Sequence, residues 1–227
     1  MTTAVFVHGA WHDAWCWEFV RARLDEAGVA SVAVDLPMTT LDADAAVVRH
    51  ALRSLDDDAV VIGHSWGGSP VTLGASGEGN VRHLIYLCAF MIEAGIPVTD
   101  PATRRGTSRA ELLETVDDKM LINPDLVADA FYNDVSPELA AKAIARLRPF
   151  YLTGFLPLDT SAKAAWKTVP TTYVVCTQDK AIHPDDQRDM AKNASEIVEI
   201  DTSHSPFLSR PDLVADLVIE RVRRYEA

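Results

Sequence analysis

The sequence predicts a doubly wound α/β fold, with one mostly parallel sheet and helices on both of its faces. Three observations point there. Short, nearly all-apolar runs recur six times, helical patterns separate most of them, and a length of 227 residues suits one core or one core with an insertion.

The six runs are AVFV at 4–7, SVAV at 31–34, AVVI at 59–62, LIYL at 84–87, YVVC at 173–176 and EIVEI at 196–200. They do not alternate apolar with polar, which is the pattern of strands buried on both faces. Between the first two, WEFVRARLDEAG sets Phe19, Val20, Arg23 and Leu24 on one helical face and closes on Gly28, a natural residue just past a helix end. DADAAVVRHALRSL repeats the pattern through Ala45, Val48, Leu52 and Leu55. RPDLVADLVIERVRR carries Leu213, Leu217, Val218 and Val222 on one stripe of a last helix.

The rhythm breaks from 91 to 168. Pro97, Pro101, Pro124, Pro137, Pro149 and Pro157 punctuate helix-like pieces such as SRAELLETV, PDLVADAFY and PELAAKAIARL, with no convincing strand pair. The expectation is a core built from 1–90 and 169–227, and a helical cap at 91–168. Roughly 75 residues are too many for a bare loop, so a lid over the sheet's active edge is the natural reading.

Composition narrows the partners. With 33 acidic and 21 basic residues the net charge is -12, which repels nucleic acid and anionic lipid alike. Cys16, Cys88 and Cys176 are odd in number and lack the close spacing of zinc ligands, which fits a reducing, cytoplasmic setting. MTTAVFVHGA has no basic leader, and no apolar stretch reaches the length of a membrane span, so neither export nor a membrane partner is expected.

The chemistry is carried by GHSWGG at 63–68, directly after an apolar run. Gly63, Ser65 and Gly67 satisfy G-x-S-x-G, in which a strand turns so sharply into a helix that the serine is held in strained backbone and its flanking positions have no room for a β-carbon. A plain Gly/Ser turn is the alternative. A nucleophilic serine needs a base and an orienting acid. Of seven histidines, His204 in EIDTSHSPF alone follows every strand, whereas His183 lies four residues past Asp179, too close to partner it easily across a loop. His50 and His83 fall in a helix and beside a strand, and His64 fills the variable place of the elbow. For the acid, Asp179 in YVVCTQDKAIHP stands just beyond a buried strand, at the edge where ligands bind in such sheets. In VFVHGAWHDAWCW, Gly9 follows the first strand, and the backbone N–H of Ala10 can join that of Trp66 in binding an oxyanion. A metal pair at His8 and His12 is the competing reading, weakened by the lack of an H-E-x-x-H helix.

Together VFVHGAWHDAWCW, GHSWGG, CTQDKAIHP and TSHSP resemble the α/β-hydrolase superfamily. Within it they are similar to the branch of plant methyl-ketone, methyl-salicylate and methyl-jasmonate esterases, hydroxynitrile lyases and their small bacterial relatives. The resemblance covers about 1–90 and 169–227. It implies Ser65 as nucleophile, His204 as base, Asp179 as acid, Ala10 and Trp66 as oxyanion donors, and no cofactor. It also implies six parallel strands in the order 2-1-3-4-5-6, starting at what would be the third strand of the full fold. The expected activity is hydrolysis of small apolar carboxylic esters, with Trp11, Phe150 and Phe155 as pocket candidates. A ligand receptor on the same fold and a hydroxynitrile lyase are the alternatives. In the plant lyases a threonine and a lysine occupy the places of Gly9 and Ser205 here, which disfavours cyanohydrin cleavage.

Overall fold

In a computed structural model of the chain, residues 1–93, 112–151 and 163–226 are described. Six strands form one parallel sheet: β1 (Thr2–Val7), β2 (Ser31–Val34), β3 (Asp58–His64), β4 (Val81–Leu87), β8 (Thr171–Cys176) and β9 (Glu196–Ile200). Their order is β2-β1-β3-β4-β8-β9, with every neighbouring pair parallel, as the family resemblance implied. β1 and β8 are buried along their whole length. The expectation of two-sided burial fails at the margins, where β2 and β9 alternate and Val32 and Ile197 reach solvent. An edge strand has a neighbour on one side only, so its outer side chains are not fully covered.

The helices form where the periodicity placed them. Glu18–Glu26 buries Val20 and Leu24 and ends before Gly28, whose φ of +73° is the left-handed turn that glycine adopts without strain. Leu41–Arg53 starts at Thr40, whose hydroxyl accepts from the Ala43 N–H at 3.1 Å, and buries Ala45, Val48 and Leu52. Pro211–Arg224 buries Val214, Ala215, Val218 and Val222, so the stripe sits one residue off the Leu213 and Leu217 of the sequence pattern, which are half-buried.

The insertion corrects one expectation. Helices Pro124–Phe131 and Pro137–Ile144 match two of the helix-like pieces, each with a side-chain N-cap from Asn123 and Ser136. Strands β5 (Leu113–Val116) and β6 (Lys119–Ile122), however, make an antiparallel hairpin that β7 (Phe150–Tyr151) extends. The end of SRAELLETV is therefore strand. Glu and Leu suit a helix, but Asp117 adopts φ +57°, closing a two-residue turn that helical propensity cannot override.

The order in which successive strands are added reverses between β1 and β3, where Val7 lies beside Gly63. Loops leaving the carboxyl ends of strands at such a point diverge and leave a crevice.

Candidate active site

Ser65 follows the last residue of β3 and has φ +50°, left-handed backbone that costs a non-glycine residue on the order of 1 kcal/mol. The surroundings enforce it. A β-carbon at Gly67 would lie 2.5 Å from the His8 carbonyl oxygen and 2.6 Å from that of Val7, and one at Gly63 would lie 2.9 Å from the Gly67 oxygen. The elbow is thus wedged against the end of β1, and the Ser65 carbonyl is tied down by the Phe90 N–H at 3.0 Å.

The three side chains singled out in the sequence meet here. Ser65 Oγ is 2.9 Å from His204 Nε2, and His204 Nδ1 is 2.7 Å from Asp179 Oδ2. A carboxylate only accepts, so Nδ1 carries the proton and Nε2 is the free acceptor for the serine hydroxyl. Asp179 follows β8 and His204 follows β9, each on a loop at the same sheet edge. Asp179 Oδ1 accepts from the Ala181 and Ile182 N–H groups at 2.7 and 2.9 Å. Oδ2 also accepts from Gln187 Nε2 at 2.8 Å, and Gln187 Oε1 in turn accepts from the Cys176 N–H at 2.9 Å. Gln187 escaped the sequence analysis, since one glutamine on an amphipathic helix carries no motif.

The loop 8–13 lies directly over the serine. A β-carbon at Gly9 would approach Ser65 Cβ to 2.9 Å and His64 Nδ1 to 2.8 Å. His8 Nδ1 donates to the Gly9 carbonyl at 2.8 Å while its Nε2 accepts from the Leu36 N–H at 2.9 Å. Ala10 is buried, and its N–H has no hydrogen-bond acceptor among the described residues. Trp66 is buried, its indole donating to Asp44 Oδ2 at 2.8 Å. Asp44 Oδ1 accepts from the Met38 N–H at 2.8 Å. Burial raises the Asp44 carboxyl above its usual range, against the pull of these two hydrogen bonds.

Of the pocket candidates, Trp11 and Phe150 pack with ring centroids 5.8 Å apart, and Trp66 meets Phe150 at 5.0 Å. Phe155 lies outside the described residues. Phe131, which the sequence analysis overlooked, stands 5.1 Å from the His204 ring and 5.9 Å from Trp11. The other histidines are engaged elsewhere. His183 caps the helix Pro184–Ala191 by accepting from the Asp185 N–H at 3.2 Å. His83 lies in β4 and bonds Thr172 and Tyr225, and His50 is exposed on its helix.

Among the described residues, the side-chain donor atoms of His64, Cys88 and His204 lie within 4.8 Å of one another. His64 Nε2 and Cys88 Sγ both face the His204 carbonyl, at 2.8 and 3.7 Å, and both His204 ring nitrogens serve Asp179 and Ser65. A metal there would have to break these bonds. The ring nitrogens of His8 and His12 are likewise committed to Gly9, Leu36, Ala10 and Tyr132, so the pair is not disposed as ligands. Burial holds His8 neutral, with its pKa lowered to about 4.

A parallel sheet wound in this order, with a serine on a left-handed elbow at its switch point, defines a class. The chain belongs to the alpha/beta hydrolase family, whose profile matches residues 4–217. It is 31% identical to the alpha/beta hydrolase nvfD of Aspergillus novofumigatus over 94% of each chain. It is 29% identical to methylesterase 7 of Arabidopsis thaliana, covering 97% of this chain and 96% of that protein. The crystal structure of the methylesterase MES16 from Arabidopsis superposes with a TM-score of 0.82 at 26% identity, over 99% of this chain and 100% of the other. No helix among the described residues is long and apolar enough to cross a membrane.

Proposed function

We propose that the chain is a serine carboxylic-ester hydrolase acting on small apolar esters through an acyl-enzyme. One observation carries the reading: the unbroken hydrogen-bonded line from Asp179 through His204 to a strained Ser65, set under the Gly9 loop. Ser65 Oγ attacks the ester carbonyl as His204 Nε2 takes its proton, and Asp179 holds the imidazole and stabilises its cation. The carbonyl oxygen becomes an oxyanion bound by the N–H groups of Ala10 and Trp66. His204 then protonates the departing alkoxide. A water, deprotonated by the same nitrogen, attacks the acyl carbonyl, releasing the acid and restoring Ser65. Every proton transfer is carried by the chain's own side chains.

The methylesterase relatives support an ester of a small alcohol. Trp11, Phe150 and Trp66 supply an aromatic surface suited to an apolar acyl group. The reading of 91–168 as a cap is supported by Phe131 and Phe150, which pack against His204 and Trp11. Three buried free cysteines accord with a cytoplasmic setting. Lyase chemistry is opposed by geometry as well as by residue type, because the position of Gly9 has no space for a β-carbon, and so none for a threonine hydroxyl.

A panel of chromogenic esters of graded acyl length tests the proposal, together with peptide mapping after fluorophosphonate labelling. Ester turnover and a single adduct on Ser65 are expected. Turnover below about one per minute on every ester, against the typical 10 per second of enzymes, would favour a ligand receptor. Cyanide release from mandelonitrile that vanishes in Ser65→Ala would favour the lyase.

A further inference from the structure

We infer that Tyr132, in the inserted segment, is a positioning residue for the oxyanion loop and acts by anchoring the His12 ring that holds the Ala10 carbonyl. The inference rests on the reading of the Ala10 N–H as an oxyanion donor. It starts from a run of carbonyls in that loop, each with a dedicated donor. Gly9 O accepts from His8 Nδ1 at 2.8 Å, and Ala10 O faces His12 Nδ1 at 3.0 Å. Trp11 O accepts from the Arg148 N–H at 2.8 Å, and His12 O from Arg148 Nη2 at 3.0 Å. The Trp11 indole adds a bond to the Met120 carbonyl at 2.8 Å. Apart from His8 and His12 themselves, these partners belong to the insertion.

The Ala10 N–H shares its peptide plane with the Gly9 carbonyl that His8 holds, and the next plane carries the Ala10 carbonyl that faces His12. Pinning both planes fixes the direction of that N–H before substrate arrives, and preorganisation of this kind is what makes an oxyanion donor effective. His8 takes its tautomer from the backbone N–H of Leu36. His12 has no such backbone partner. Its Nε2 lies 2.8 Å from the Tyr132 hydroxyl, and both rings are buried.

A carbonyl oxygen offers lone pairs only, so His12 must present Nδ1–H to Ala10. Burial keeps the ring neutral, with its pKa lowered to about 3, so Nε2 is then a bare acceptor. Tyr132 must therefore donate, and the phenol is suited to it, since burial raises its pKa far above neutrality. Its hydroxyl has no other hydrogen-bond partner among the described residues. Without that donor the Nε2 lone pair is stranded in a buried site and the ring keeps only its bond to the Ala10 carbonyl, which loosens the loop.

The test is Tyr132→Phe, alone and with His12→Asn, whose amide N–H can replace Nδ1–H but leaves no ring for Tyr132 to anchor. Heteronuclear NMR of 15N-histidine-labelled protein should show His12 as Nδ1–H in both proteins, with its Nε2 resonance displaced in Tyr132→Phe by loss of the hydrogen bond. Deleting one oxyanion donor costs on the order of a hundred- to a thousandfold, so misaiming one should lower kcat about tenfold with KM little changed. Affinity for a trifluoromethyl ketone, which forms an oxyanion, should fall by the same factor, while affinity for the product acid holds. In the His12→Asn background, Tyr132→Phe should change kcat less than about twofold. An Nε2–H tautomer in the wild type overturns the inference. So does an equal loss from Tyr132→Phe in both backgrounds, which is what simple packing would give. If the wild type hydrolyses no ester, the hydrolase proposal falls, and the His12 Nε2 resonance, unmoved in Tyr132→Phe if that residue does not anchor the ring, still decides the role of Tyr132.

Discussion

Gln187→Met puts the support of Asp179, the proposed acid, to a quantitative test. Methionine nearly matches glutamine in volume and suits a helix, so the perturbation is the loss of polar atoms and not of packing. The side chain is fully buried and makes three hydrogen bonds, to Asp179 Oδ2, to the Ile182 carbonyl and from the Cys176 N–H. The first is assisted by the carboxylate charge and is worth about 2 kcal/mol, and a stranded N–H at Cys176 adds about 2 kcal/mol more. The sum, about 4 kcal/mol, should lower Tm by on the order of 10 °C in a chain of this size. A second consequence is kinetic. Asp179 Oδ2 would keep His204 as its one remaining side-chain partner, so the carboxylate that orients the imidazole is held less firmly and kcat should fall about tenfold. Differential scanning calorimetry and ester hydrolysis measure the two effects. A Tm within about 2 °C of the wild type together with an unchanged kcat would refute the reasoning.

Three further outcomes are expected. Gly67→Ala drives a β-carbon into two backbone carbonyls at 2.5 and 2.6 Å and should destabilise by about 3 kcal/mol in urea unfolding; a loss under about 1 kcal/mol would mean that elbow and loop are not closely packed. His204→Ala should lower kcat about a thousandfold and His183→Ala hardly at all, because His183 only caps a helix; the reverse ranking would move the base. His8 and His12 have folded pKa values of about 4 and 3, lowered by burial from 6.5, so at pH 5 the unfolded chain binds protons that the native state does not. Stability should fall as the pH drops below about 6.5, by about 2 kcal/mol per histidine at pH 5, and the slope should lessen in His12→Asn; a profile equally steep in that variant would contradict the assignment.

Local pattern was enough for the strands of the sheet and for three residues of the candidate site. Apolar runs mark buried strands because desolvation demands it, and a glycine on each side of Ser65 marks an elbow that tolerates no β-carbon. Asp179 and His204 were legible because each stands just past a strand end, and the parallel topology carries every such end to one edge. Periodicity was less informative in the insertion, where the turn at Asp117 converts a helix-compatible stretch into a hairpin. The supporting groups belong to tertiary structure alone. Gln187 under Asp179, Asp44 under Trp66, and Tyr132 against His12 are contacts between residues 8, 22 and 120 positions apart, and no spacing rule links such pairs. A hydrogen bond to a buried carboxylate or imidazole depends on where two surfaces close on each other. Residue type sets which groups can donate and accept, and only the packed chain decides which of them meet.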